Sequence, residues 1–118
     1  MTSVRAHPQK GYGYLLHLFG TRIQAFVTNL TSKQRPAKIC VCMIYYPDEQ
    51  TTGSWADPAL AALGYNSNPK KLQALIRCVF RDAIRRIKVP GCEVVAVPLF
   101  AALNGKNSAD YSQRVEPR

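Results

Sequence analysis

Apolar residues recur along the chain in periodic segments that short polar stretches separate. Between Tyr14 and Leu30 they are spaced by three and four residues, as on one face of an amphipathic helix. These positions are Leu15, Leu16, Phe19, Ile23, Phe26, Val27 and Leu30. The polar stretch that follows ends in Pro36 and predicts a loop.

Two short apolar runs predict β-strands. The first covers residues 39–45 and is apolar at every position, which is typical of a strand buried on both faces of a parallel sheet. The second covers residues 92–99 and is rich in valine, a β-branched residue that favours strands. Within the first run, Cys40 and Cys42 are two residues apart, so their side chains share one face. We expect them to be reduced, buried thiols that pack as small hydrophobic side chains.

The most regular helical pattern lies between these two strands. Asn68-Pro69 is a typical helix start, and Pro90-Gly91 stops the pattern. The apolar stripe consists of Leu72, Leu75, Ile76, Val79, Phe80, Ala83, Ile84 and Ile87. We therefore predict a helix over 69–89, which joins the two strands in a right-handed β-α-β unit.

The predicted fold class is α/β: a small three-layer sandwich in which a short parallel sheet with a β-α-β core is flanked by helices. An all-α chain is the alternative, but the length and β-branching of the two apolar runs disfavour it. At 118 residues, the chain forms one domain or part of one, with a flexible N-terminus over 1–13 and a polar tail over 106–118. Because two strands leave apolar edges bare, we expect a homo-oligomer, or a partner chain that pairs with the sheet edges.

Charge adds a second feature. Sixteen lysines and arginines against seven acids give a net charge of +9, which favours an anionic partner such as nucleic acid, phospholipid headgroups or an acidic protein. The candidate anion-binding residues are Arg77, Arg81, Arg85 and Lys88, at steps of four, four and three along the predicted helix. Like charges at this spacing repel each other unless an anion faces them. The alternative is that they form the solvated outer face of a crossover helix.

The cysteines predict neither a metal site nor a cofactor. Cys40, Cys42, Cys78 and Cys92 lie in apolar segments and not on the turns that zinc ligands favour. Reduced thiols indicate an intracellular and specifically cytoplasmic protein. The first ten residues contain Arg5 and Lys10 but no acid, so an organellar presequence stays open as an alternative. No apolar run is long enough to predict a transmembrane segment.

A β-α-β order is common among proteins with nucleotide-binding or catalytic motifs, but this sequence lacks the known ones. Neither strand is followed by Gly-x-Gly-x-x-Gly, and the chain contains no Gly-x4-Gly-Lys-Ser/Thr loop. The Gly-x-Ser-x-Gly elbow of many hydrolases is also missing from the sequence. Both histidines, His7 and His17, lie near the N-terminus. The C-terminal half therefore cannot assemble a local Ser-His-Asp triad.

Three segments nevertheless resemble the C-terminal portion of the SGNH (GDSL-like) hydrolase superfamily. Residues 39–48 read ICVCMIYYPD and resemble a late strand with its active-site loop. Residues 69–99 resemble the last crossover helix and strand of the family. Residues 108–117 read SADYSQRVEP and resemble its final block, where an Asp precedes His-Pro-Ser. The resemblance implies an α/β fold and makes Asp110 the triad-type acid.

The sequence also departs from the pattern of this family. The Gly-Asp-Ser nucleophile block and the Gly-x-Asn-Asp oxyanion block are absent, and Glu116 stands where the family has His. The resemblance therefore implies an SGNH-like fragment or degenerate copy without catalytic activity. The residues themselves favour a simpler role for Asp110, as a turn residue after Asn104-Gly105.

Overall fold

The computed structural model describes residues 11–51 and 53–118. Its helices and its short, parallel, two-stranded sheet confirm the predicted mixed α/β class. Of the N-terminus that we expect to be flexible, residues 1–10 lie outside the described part, and 11–13 are helical.

The described residues form two compact units. The first unit consists of 11–42 and 78–97, and the second of 43–77 and 98–118. The helices are α1 (11–30), α2 (Asp57–Ala62) and α3 (Pro69–Asp82), and the strands are β1 (Lys38–Met43), β2 (Glu93–Pro98), β3 (Tyr111–Gln113) and β4 (Glu116–Pro117). Short 3-10 helices lie at Ile84–Arg86, Leu99–Ala101 and Ser108–Asp110.

Helix α1 belongs to the first unit and follows the predicted apolar periodicity. Its central turn, His17–Arg22, is π-helical, and its last two turns, Ile23–Leu30, are α-helical. A Cβ atom placed on Gly20 would lie 3.4 Å from the Cβ of Ala83. Two small residues thus allow α1 to pack closely against the segment that follows α3.

Strand β1 pairs with β2, but it is buried on only one face. Val41 and Met43 are buried, whereas Cys40 and Cys42 on the opposite face are exposed. The expectation of two buried faces and buried thiols is therefore wrong for β1. An unbroken apolar run does not reveal how many faces are covered, because that depends on which other elements pack on the sheet.

Helix α3 ends at Asp82 and not at residue 89 as predicted. The chain leaves the α-helical conformation at Ala83, where φ is −125° and ψ is −62°. Ile87 and Val89 are both buried, although two residues apart on an α-helix point in nearly opposite directions. Only a more extended backbone can bury both side chains, so core packing overrides the helical periodicity here.

The second unit has its own small core, formed by Ala56, Leu60 and Tyr65 with Leu72 and Val115 packed against it. The polar tail predicted for 106–118 takes part in this unit, because β3 and β4 pair as an antiparallel hairpin there.

Within that hairpin region, Arg114 is fully buried. Its Nε donates a hydrogen bond to the carbonyl of Asp48 at 3.0 Å, and its Nη2 donates to the carbonyl of Glu49 at 3.4 Å. Its Nη1 donates to Oδ1 of Asn66 at 2.6 Å and to Oδ1 of Asp57 at 3.2 Å. The guanidinium thus attaches the tail to three separate parts of the second unit.

Two buried tyrosines fix the segment that follows β1. The hydroxyl of Tyr65 donates to the carbonyl of Pro47, and that of Tyr111 donates to the carbonyl of Tyr46, both at 2.6 Å. The Tyr111 hydroxyl also accepts from the backbone N–H of Gly105 at 2.9 Å. Burial raises the pKa of Tyr65 to about 12, so both phenols keep their protons at neutral pH.

We expect Gly105→Ala to destabilise the fold more than Gly64→Ala. Both glycines have positive φ, +80° and +77°, where an alanine costs about 1–2 kcal/mol. At Gly105 the new Cβ would also lie 2.5 Å from the carbonyl oxygen of Pro47, whereas the space around Gly64 is open. Urea unfolding of the two variants measures the difference, and equal losses would contradict the steric argument.

Candidate anion-binding site

The positive charge of the chain is concentrated in the first unit. Its described residues include eight lysines and arginines but only two acids, Asp82 and Glu93. The eight cations are Arg22, Lys33, Arg35, Lys38, Arg81, Arg85, Arg86 and Lys88. The second unit is nearly balanced, with six cations and five acids. An anionic partner would therefore be attracted to the first unit.

Half of these cations lie in residues 81–88, which we call the basic turn. Buried apolar residues hold it to the core: Ala83, Ile84, Ile87 and Val89. The cations between them are exposed: Arg81, Arg85, Arg86 and Lys88. This alternation fixes the backbone and directs the charged side chains to solvent.

A side chain of α1 holds the end of the basic turn. The Nε2 of Gln24 donates to the carbonyl of Lys88 at 2.6 Å, and the N–H of Lys88 donates to Oε1 of Gln24 at 3.0 Å. The amide thus satisfies both backbone groups of one residue, as a neighbouring strand would. These two hydrogen bonds fix the backbone of Lys88, from which its charged side chain extends.

Asp82 is the one acid within the basic turn, and its carboxylate is already occupied. Arg81 donates to it from Nε at 2.7 Å and from Nη2 at 2.9 Å, and Tyr12 donates through its hydroxyl. These hydrogen bonds, from Arg81 first, hold the pKa of Asp82 well below its usual range. Partial burial and the bond to Asp82 raise the pKa of Tyr12 to about 12. Arg81 is therefore neutralised locally, Arg86 adds a weaker electrostatic attraction to Asp82, and Arg85 and Lys88 lie beyond this pair.

The four predicted anion-binding residues do not form one helical ridge, because α3 ends at Asp82. Arg77 and Arg81 lie on α3, but Arg77 donates from Nη1 to the hydroxyl of Tyr46 at 3.0 Å in the second unit. Arg85 lies in the 3-10 helix and Lys88 beyond it. Arg86 is exposed in the same turn, although helical spacing placed it outside the ridge.

Asp110 is exposed at the end of the 3-10 helix Ser108–Asp110. Its N–H donates to the carbonyl of Asn107, and its carbonyl accepts from the N–H of Arg118. Glu116, which stands at the family's histidine position, accepts from Nε1 of Trp55 at 2.8 Å. The sequence of the second unit contains no histidine, and Asp110 lies in a turn.

The cysteines are all free thiols. Cys40 and Cys42 are exposed on β1, and Cys78 and Cys92 are half-buried. In the described part of the chain, no three His, Cys, Asp or Glu side chains lie close enough together to hold a metal ion.

Comparisons of this chain with family models, with curated proteins and with solved structures find no match. Among the residues that the structure describes, no helix has the length and apolar character needed to cross a membrane. The fold and site define a small α/β protein with an outward-facing cationic turn.

We expect Asp82→Asn to lose less folding stability than the wild type when the pH is lowered below about 4. Because folding lowers the pKa of Asp82 from its ordinary 3.8, its charged form stabilises the fold above about pH 4, and this contribution is lost as the pH falls further. The asparagine keeps an acceptor for Tyr12 but does not titrate.

Thermal unfolding measures this as the Tm of the wild type minus that of Asp82→Asn. The difference should shrink from neutral pH to about pH 2. Asp110→Asn, at an exposed turn, is the control for loss of one carboxylate. A Tm difference that does not change with pH would contradict the role given to Asp82.

Proposed function

We propose that the chain is a binding protein whose basic turn docks on the phosphates of a nucleic acid. The observation that carries this proposal is the outward display of Arg85, Arg86 and Lys88 within four residues of a turn held by buried side chains. A guanidinium presents parallel N–H donors that match two phosphate oxygens, so two adjacent arginines suit neighbouring phosphates.

The energetics favour a polyanion over a single small anion. Closely spaced cations repel each other, and this repulsion is relieved when each faces a phosphate. A nucleic acid also releases condensed counterions when its phosphates are neutralised, which adds a salt-dependent driving force. The excess of cations in the first unit attracts such a polymer over a wider area than the basic turn alone.

We expect the labelled protein to bind single-stranded RNA or duplex DNA at low salt, as measured by fluorescence anisotropy. Three neutralised phosphates predict a slope of about −2.7 for log affinity against log salt on duplex DNA. Arg85→Ala/Arg86→Ala should weaken binding and reduce this slope. Asp82→Asn should strengthen binding, because it frees Arg81 and removes the one acid of the turn.

The matched control is Lys70→Ala/Lys71→Ala, which removes the same charge from exposed positions on α3 in the second unit. If both double variants lost the same affinity, net charge alone would explain the binding, and the basic turn would not be the binding site. Binding to vesicles of anionic phospholipid, with none to nucleic acid, would overturn the choice of partner.

We propose further that the similarity to SGNH hydrolases concerns architecture and not activity. The order of β1, α3 and β2, with Asp110 after the second strand, supports the architectural part. The absence of any histidine from the sequence of the second unit supports the inactivity, because a triad acid acts through a base.

We therefore expect no hydrolysis of p-nitrophenyl acetate above the buffer rate. Asp110→Ala should leave that rate and the thermal stability unchanged, since the Asp110 side chain is exposed. Turnover by the wild type that Asp110→Ala abolishes would show instead that this carboxylate serves an esterase.

We also propose an intracellular, cytoplasmic location for the protein. The free thiols of Cys40 and Cys42 are exposed on β1, and exposed thiols persist in compartments that glutathione and thioredoxin keep reducing.

A further inference from the structure

An apolar groove of about 790 Å³ runs between α1 and β1 in the first unit. Its helical wall consists of Ile23, Phe26, Val27 and Leu30, which share one face of α1. Phe26 and Leu30 are 64% and 69% exposed, so much of this wall faces solvent. Contiguous exposed apolar patches are typical of interaction sites and ligand-binding grooves.

The opposite wall of the groove is the edge of β1. Side chains on a strand alternate between two faces, so a cavity over one face would touch every second residue. This groove is lined by all five consecutive residues from Lys38 to Cys42. Within the described residues β1 pairs with β2 only, so the edge that borders the groove presents unpaired N–H and C=O groups.

Two cations lie on the groove where it meets the start of β1. Arg35 and Lys38 both line it, and no acid does. The Arg35 side chain extends along Gly91, where an added Cβ would lie 3.0 Å from its Nη1. Lys38 forms an exposed ion pair with Glu93, with 3.8 Å between Nζ and Oε1, and such a pair contributes little stability. Both side chains thus lie against the segment that starts β2, and they turn away from Gly91 and Glu93 when an acidic ligand enters the groove.

We propose that this groove binds an extended peptide of another protein, in which acidic and apolar side chains alternate, as an added strand on β1. The peptide backbone pairs with the free edge, its apolar side chains cover Phe26 and Leu30, and its acids face Arg35 and Lys38. Five lining residues at about 3.3 Å each match the usual length of one strand.

Charge selects this partner over a second copy of the chain. A second copy that paired through its own β1 would bring a further Arg35 and Lys38 to a groove that already contains both. Like charges placed across a strand pair destabilise it, whereas opposite charges stabilise it. The proposal concerns a different surface from the basic turn and does not depend on nucleic-acid binding.

The test uses the full chain and a labelled synthetic peptide of alternating glutamate and valine, with an acetylated N-terminus and an amidated C-terminus. We expect saturable binding by fluorescence anisotropy. Bound peptide should slow the alkylation of Cys40 and Cys42 by iodoacetamide about tenfold, because these thiols line the groove. Mass spectrometry should find Cys78 and Cys92 unaffected.

Variants of the protein locate the binding surface. Leu30→Asp and Arg35→Glu should each weaken peptide binding by about tenfold, since one alters the apolar wall and the other reverses a cation. Leu63→Asp is the matched control, a similarly exposed leucine in the second unit. Arg85→Ala/Arg86→Ala should weaken peptide binding no more than Lys70→Ala/Lys71→Ala does, and Leu30→Asp should weaken nucleic-acid binding no more than Leu63→Asp does, which separates this proposal from the first.

Variants of the peptide test the binding mode. Replacing its glutamates by lysines, or methylating every second backbone nitrogen, should abolish binding, because each removes one of the two recognised features. Binding that survives methylation would overturn strand addition. Sedimentation equilibrium should find a monomer with reactive Cys40 and Cys42, whereas a dimer in which these thiols are protected would show that a second copy occupies the groove.

Discussion

Arg114 is a cation with no exposed surface, and its hydrogen bonds connect separate segments of the second unit. An unpaired buried charge costs several kcal/mol, so its N–H groups require acceptors. Asp57 and Asn66 provide side-chain oxygens, and the chain after β1 provides two carbonyls. Because these acceptors are distant in sequence, one guanidinium fixes their mutual positions. The guanidinium also lies 5.6 Å from the ring centroid of Tyr65, which adds a cation–π contact inside the same core.

In the first unit, by contrast, the cationic side chains lie at the surface. Apart from Thr31, its described buried residues are apolar, and its eight described cations are all exposed. Among the described cations of this unit, Arg81 forms a bidentate ion pair with Asp82, and this pair lowers the pKa of that carboxyl. Arg114 therefore has a structural role, whereas Arg85 and Arg86 remain accessible to a ligand. Arginines of identical chemistry thus separate into core and surface roles according to the acceptors that the fold places beside them.

The sheet explains why the groove exists. Two parallel strands satisfy each other along one edge only, and α1 packs so that part of its apolar face stays exposed beside β1. For this reason the sequence predicts association through the sheet edges. The structure adds the location, because consecutive residues of β1 line one groove, and it adds the cations that discriminate among partners. Exposed Cys40 and Cys42 belong to the same arrangement, since the face that carries them is the one left uncovered.

Local patterns determined α1, β1, the start of α3 and β2, because helical and strand periodicities arise from backbone geometry within a few residues. The same patterns could not locate the end of α3, since burial of Val89 beside Ile87 depends on the core around them. They also could not show that Arg114 is buried within a polar tail, or that the helical ridge breaks while Arg86 joins the basic turn. A charged side chain is buried only where distant segments supply its acceptors. Those contacts exist only in the folded chain, so tertiary structure alone decided which cations are satisfied inside and which remain for a partner.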